Sequence, residues 1–363
     1  MGKRVGILTL PLGVNYGGIM QAVALSQHLE SRGHDVVLLD KRRPIGFVKH
    51  LALFLLETVP FQNIAGVRGH GKTRKLHDRF IRRFIAKRTP MYRSERQLVQ
   101  AVEEHRLDAV IVGSDQVWRM DYLQPDGYRE FFLSFVTSPA VRRIAYAASF
   151  GTGEWTYPER KEPVKELLAR FDAISVREDS GVVLCKSVFD VADCEHVLDP
   201  TLLVDPAFYE KAMAPSGTAQ GKVLLTYLLD APARKPLIDA AASVLGPEYT
   251  QTPMTLKSED VVDLPGWLRA FRDADYVLTD SFHGTVFSII FRKPFVAITN
   301  MERGADRFLS LLKALGLSDR LVSVEEVDKV AELVPVPIDY DRVHQSLSAL
   351  REKSEAFLDR ELA

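Results

Sequence analysis

Cysteine is scarce in this chain: Cys185 and Cys194 are the two in 363 residues. Two thiols cannot build a disulfide scaffold, and these lack the paired spacing of a zinc site, so both are expected as reduced thiols in a cytoplasmic protein and no metal is expected. Long apolar runs are also missing. The longest strongly apolar stretch, Leu51 to Leu56, is far short of the roughly 20 residues that a membrane-spanning helix needs. Residues 4–10 read as a first strand and not as the apolar core of a leader, so no secretory signal is expected. No internal repeat is visible at the level of residues, and the formal net charge is only −1.

That small net charge hides an asymmetry. Between Lys41 and Arg93 there are 14 Lys and Arg against Glu57 and Asp78, and the rest of the chain is correspondingly acidic. A block of this kind suits an anionic membrane surface, a nucleic acid or a phosphorylated substrate. Leu76, Phe80, Phe84 and Ile85 recur within it at about helical spacing, which equally describes the solvated back of a packed helix.

With 46% apolar and 26% charged residues, the chain can bury a large core and suits two domains. Strand and helix patterns alternate along it. Strands are expected at 5–10, 36–39, 109–112, 143–147 and 173–176, with helices near 19–31, 97–104 and 158–171, and residues 197–203 closing the first half. The Gly, Pro and Ser content of 214–221 marks a linker, after which the rhythm restarts with strands at 223–227, 248–252, 275–279 and 295–298. The expected fold is α/β, with two Rossmann-like domains facing a cleft. Residues 1–210 form the first, with the basic insertion at about 41–93. Residues 218–340 form the second, and a helix within 341–363 packs back on the first.

Four loops carry polar groups where open α/β sheets bind ligands. In TDSFHGTVFSIIFRKPF (Thr279 to Phe295) an apolar strand runs into Ser281-Phe-His283-Gly284 and then a short helix. Free N–H groups at a helix start, a glycine and an imidazole together suit an anion. In NYGGIMQ, Gly17 and Gly18 open a helix, while Asn15, Tyr16 and Gln21 offer hydrogen bonds to a polyol or phosphate; a tight turn alone would also explain the glycines. GSDQVWR places Asp115 and Gln116 just past a strand, with Asp115 either a base or a turn cap. SVREDS places Arg177 past another strand, where it would grip an anion or pair with a surface acid. Residues 66–73, GVRGHGKT, fit the phosphate-loop expression, but Pro60 to Ala65 is a poor buried strand to precede one.

Taken in order, NYGGIMQA, VGSDQVW, YAASFG, ISVRED, VLDPTLL and TDSFHGTVFSIIFRKPF resemble the polysaccharide pyruvyl transferases from Asn15 to about Leu317. The resemblance implies a GT-B-like fold with the active site between the domains. It also implies transfer of the enolpyruvyl unit of phosphoenolpyruvate onto two sugar hydroxyls, giving a pyruvate ketal on a cell-surface polysaccharide or its precursor. Phosphoenolpyruvate is then a substrate and no cofactor is required. By the same resemblance His283 and Arg177 line the donor site. For that chemistry His283 is expected as the main acid/base and Asp115 to activate the acceptor; Ser281 and Gly284 are expected beside the donor, and Asn15, Tyr16, Gly17, Gly18, Gln21 and Gln116 to serve the acceptor. Many members carry Arg-Leu-His where this chain has Ser281-Phe-His283, so Arg303 and Arg307 are expected to supply the missing cation. The implied partners are phosphoenolpyruvate and a lipid-linked or nucleotide-linked saccharide, with peripheral contact to the inner membrane face through 41–93 and no nucleic acid. Rival readings are a GT-B glycosyltransferase using a nucleotide sugar, a non-catalytic saccharide-binding protein, and an ATP-binding protein using Lys72.

Overall fold

Runs such as Val110-Ile111-Val112 and Val277-Leu278, apolar without alternation, suit strands covered on both faces. A computed structural model of the chain shows them in that role; it describes residues 2–42, 65–125, 127–213, 221–255, 262–299 and 304–363, with the backbone alone for 65–73 and Ala231. One sheet contains β1 (Arg4–Leu8), β2 (Asp35–Leu38), β3 (Ala109–Gly113), β4 (Arg142–Ala148), β5 (Ala173–Val176) and β6 (Cys194–His196) in the order β2-β1-β3-β4-β5-β6. The other contains β7 (Lys222–Tyr227), β8 (Tyr249–Met254), β9 (Tyr276–Thr279), β10 (Phe295–Ile298) and β11 (Leu321–Val322) in the order β11-β10-β9-β7-β8. Every pairing is parallel. Helices cover both sheets, and a single apolar cluster runs from β1 and the Tyr16–Ser31 helix to Trp267, Phe271 and Phe287 in the second half.

The strand order reverses between β1 and β3 in the first sheet, and between β7 and β9 in the second. At such a reversal the connecting loops diverge to opposite faces and leave a crevice at the carboxyl ends of the strands.

Several local features differ from expectation. The strand at the end of the first half is Cys194–His196, upstream of 197–203; Pro200 instead opens a short 3₁₀ turn capped by Asp199. The backbone of 66–73 lies inside the Ala65–Phe84 helix, so the phosphate-loop spelling there does not form the strand-loop-helix cradle it requires. That helix buries Phe80 and Ile81, with Phe84 edge-on to Phe208 at 5.3 Å. Beyond it, Lys87 pairs with Asp35 at 2.5 Å, while Arg88 holds Asp40 and Asp78 at 2.5 and 2.6 Å. Residues 43–64 of the basic block lie outside the described residues. Among the described residues no helix is long and apolar enough to cross a membrane.

The last helix, Tyr340–Glu361, touches both halves. Its Tyr340 hydroxyl donates to the Lys293 carbonyl in the second half. Farther along, Arg351 donates to the Leu202 carbonyl at 2.8 Å, Ser354 accepts from Leu198 N–H at 3.0 Å, and Glu361 pairs with Arg142 at 2.7 Å. Phe357 is buried 6.1 Å from the Tyr146 ring. Phe357→Ala should therefore cost roughly 3–5 kcal/mol, read as a lower denaturation midpoint, whereas Lys353→Ala on the exposed side should leave the midpoint unchanged.

Candidate active site

The loops at the two strand-order reversals face each other. From the first sheet come Leu10 to Asn15 after β1, and Asp115 with Gln116 after β3. From the second come Tyr227 and Leu229 at β7, and Asp280 to His283 after β9. Together they line a cavity of about 640 Å³.

Beneath this cavity lies a carboxylate with no access to water. Asp199, fully buried at its side chain, accepts from Arg177 Nη1 at 2.6 Å, Ser114 Oγ at 3.1 Å, and the Thr201 N–H and hydroxyl at 3.0 and 2.7 Å. The His283 Nε2 reaches it from the other half at 3.7 Å, just beyond hydrogen-bonding range but close enough for attraction. Burial alone would raise the Asp199 carboxyl, yet His283, Arg177 and Thr201 outweigh it and hold it well below the usual carboxylate range. Arg177 also faces Asp115 at 3.5 Å. Asp115 sits at φ +72°, a left-handed conformation uncommon for a non-glycine residue, and its own carboxylate accepts the Gln116 N–H at 2.9 Å.

Phe282 carries two cations. The guanidinium groups of Arg177 and Arg307 lie 4.8 and 5.2 Å from its ring centroid. Burial, and then the neighbouring charge of Arg177, pulls Arg307 down to about 10. A bound anion beside Arg307 would relieve that repulsion. Glu178, also buried, accepts the Phe150 and Gly151 N–H groups at 2.8 and 3.2 Å; burial raises its carboxyl, opposed by Arg177.

The glycine pair permits close approach. A Cβ on Gly17 would lie 2.0 Å from the His283 Nδ1, and one on Gly18 would lie 3.2 Å from both Asn15 and Asp115. The first helix thus begins against the imidazole. Ser281 caps the Phe282–Ile290 helix by accepting the Gly284 N–H at 3.3 Å.

Of the residues singled out in the sequence, Asn15, Gly18, Asp115, Gln116, Ser281, His283 and Arg307 line the cavity. The others are used differently. Tyr16 stacks on Trp267 at 5.5 Å and donates to the Val262 carbonyl at 2.6 Å, joining the halves and not facing an acceptor. Gln21 is buried, bonded to Thr9, the Gly18 carbonyl and the Ser114 N–H at 3.0, 2.8 and 2.9 Å; it fixes the β3 loop against the first helix. Arg177 sits under the cavity floor, committed to Asp199, and not on the cavity surface. Gly17 packs on His283 and Gly284 on Thr279. Arg303 lies outside the described residues.

Sequence reasoning passed over Asp199, although VLDPTLL contained it. It also passed over Asp280, which lines the cavity and accepts the Leu229 N–H at 2.6 Å, its carboxyl raised by burial. Arg42, Arg74 and Arg93 face the cavity from the basic block; their sequence signal was only a charge run.

The sequence matches the family model described as polysaccharide pyruvyl transferase over residues 15–302. No curated protein matches it. Among solved structures it is similar to a UDP-GlcNAc 2-epimerase from Neisseria meningitidis bound to UDP-GlcNAc, with a TM-score of 0.51 and 12% identity over 98% of each chain. It is also similar to the S. aureus MnaA–UDP structure, with a TM-score of 0.52 and 12% identity over 96% of this chain and 91% of that one. At such identity the likeness speaks for the fold, which is of the GT-B type.

The buried charge cluster sets a pH signature. Removing the Asp199 charge takes from buried Arg177 its hydrogen-bonded partner and leaves it only the looser pair with Asp115, so Asp199→Asn should destabilise the chain by about 3–5 kcal/mol at pH 7. Because the folded carboxyl is depressed, its contribution is complete above the unfolded value of about 3.9 and is lost as pH falls toward the folded one. The stability gap between wild type and variant in urea titrations should narrow below about pH 4; a gap independent of pH would contradict this assignment.

Proposed function

Because the chain belongs to the polysaccharide pyruvyl transferase family, we propose that it transfers the enolpyruvyl unit of phosphoenolpyruvate to two hydroxyls of one sugar, forming a pyruvate ketal and releasing phosphate. The observation that carries this reading is that His283, Arg307 and the start of the Phe282–Ile290 helix, from the second half, line one cavity together with Asp115 from the first.

Phosphoenolpyruvate brings a phosphate and a carboxylate. The helix start offers N–H donors to one, and Arg307, which lines the cavity beside the Phe282 ring, suits the other. Arg307 thus takes the part expected of the arginine that Ser281 replaces. His283 delivers a proton to the enol methylene carbon, leaving positive charge on the neighbouring carbon. One acceptor hydroxyl adds there and gives its proton to Asp115. The carbon–oxygen bond to phosphate then breaks, and the leaving phosphate takes both electrons of that bond together with the proton held by Asp115, departing as hydrogen phosphate. A second hydroxyl adds to the resulting oxocarbenium centre, and its proton restores His283. Asp199 and Arg177 act from below: Asp199 faces the His283 Nε2 and orients the ring, and Arg177 helps hold the Asp199 carboxyl ionised.

The sugar that accepts the pyruvyl group lies toward Asn15, Gly18 and Gln116 in this scheme. His283→Ala should lower phosphate release from phosphoenolpyruvate plus a saccharide panel by about 10²–10⁴-fold, with an unchanged circular dichroism spectrum. Near-normal turnover would remove His283 from the mechanism. Thermal stabilisation by UDP-sugars with no response to phosphoenolpyruvate would favour a glycosyltransferase instead.

A further inference from the structure

On the Arg307 side, the seam between the halves closes on one short loop. Ser149-Phe150-Gly151 follows β4, and the Ser149 N–H donates to the Asp115 carbonyl at 3.1 Å. Gly151 is enclosed twice over. A Cβ on it would lie 2.2 Å from the Gln116 Oε1, and a Cβ on Gly304, in the second half, would lie 2.2 Å from the Gly151 carbonyl oxygen. The φ angles of Gly151 and Gly304 are +72° and +89°, so both positions need glycine for conformation as well as for room. Backbone therefore meets backbone across the seam, and Arg307 follows Gly304 within the same turn of chain.

Glu178 holds this loop from beneath. It is fully buried, and its Oε1 accepts the Phe150 and Gly151 N–H groups at 2.8 and 3.2 Å. Such a joint is stiff, because breaking either bond leaves a polar group away from water. The next residue pins the halves again: the Asp179 N–H donates to the Ser310 Oγ at 2.9 Å, and that hydroxyl donates to the Asp179 carboxylate at 2.5 Å. Burial and Arg177 pull Arg307 down, whereas Asp115 and Glu178 oppose them. Both of those acids belong to residues hydrogen-bonded to the Ser149–Gly151 loop.

We propose that this loop sets the spacing of the site: Glu178, a positioning residue, fixes it, and its backbone contact with Gly304 determines how far Arg307 reaches toward the donor's oxyanion and how near it stands to Asp115. Identifying that donor as phosphoenolpyruvate rests on the pyruvyl-transfer reading. A methyl group on Gly304 would need roughly 1 Å more room, and the chain that yields it carries Arg307.

Isothermal titration of the full chain with phosphoenolpyruvate tests the role of the loop. Gly304→Ala should weaken binding by about tenfold or more, because a guanidinium displaced on that scale loses its charge-assisted hydrogen bonds. Arg307→Gln should weaken it by as much, and the double variant by no more, since both changes act on one contact. Gly153→Ala is the control beside the same seam. Its Cβ would come nearest the Asp306 carboxylate, at 3.1 Å, a side-chain end free to turn aside, so affinity should change by less than about twofold. Glu178→Ala should reproduce the Gly304→Ala loss, and Glu178→Gln, which keeps an oxygen for the two N–H groups, should restore most of the affinity. Melting temperatures show which variants fold, and either the Gly304 or the Glu178 series suffices. Unchanged affinity in Gly304→Ala, losses that add with Arg307→Gln, or equal losses in Glu178→Ala and Glu178→Gln overturn the proposal. A wild type that binds UDP and not phosphoenolpyruvate overturns the donor reading instead, and the same variants titrated with UDP then decide the role of the loop.

Discussion

The ionised carboxylate of Asp199 constrains everything around it. A charge without water is tolerable only when neutralised and hydrogen-bonded, and this one draws on Arg177, Ser114 and Thr201 in its own half and on His283 in the other. The docking of the two halves and the electrostatics of the cavity floor are therefore one problem. Gly17 serves the same arrangement, since any side chain there would push the imidazole away from Asp199. Tyr16, stacked on Trp267 next to it, supplies apolar contact that holds the halves close enough for the charges to meet.

Above that floor, the site follows from topology. In a parallel sheet the loops at the carboxyl ends diverge where strand order reverses, and here two such crevices are placed mouth to mouth. The first half contributes Asn15, Asp115 and three arginines, and the second contributes Ser281, His283 and Arg307. Neither half encloses a cavity wall of both kinds. A reaction joining two polar substrates suits this division, with one substrate held by each sheet and the chemistry at the seam.

The fold class and the corner at Ser281 to Gly284 were legible because both rest on short-range pattern: unbroken apolar runs, a capping serine, and glycines at helix starts. What was not legible depends on partners far away in sequence. Asp199 acquires its meaning from Arg177, 22 residues before it, and from His283 across the interface. Gln21 looked like a ligand group because its three buried partners, Thr9, Gly18 and Ser114, come together only when β1, the first helix and β3 assemble. Arg177 was placed at the right strand end but at the wrong depth. The basic block misled through its density: Lys87, Arg88 and Arg42 answer local acids, while Arg42, Arg74 and Arg93 also line the cavity.

The terminal helix carries a mechanical implication. Its 22 residues span roughly 33 Å, with one end fastened to the second half through Tyr340 and the other to the first through Arg142 and Glu361. A rigid rod tied at both ends resists separation along its length but permits swivelling about its anchor points. Admission of a bulky substrate would then proceed as a door turning on a fixed post, with the widest excursion at the rim farthest from that helix.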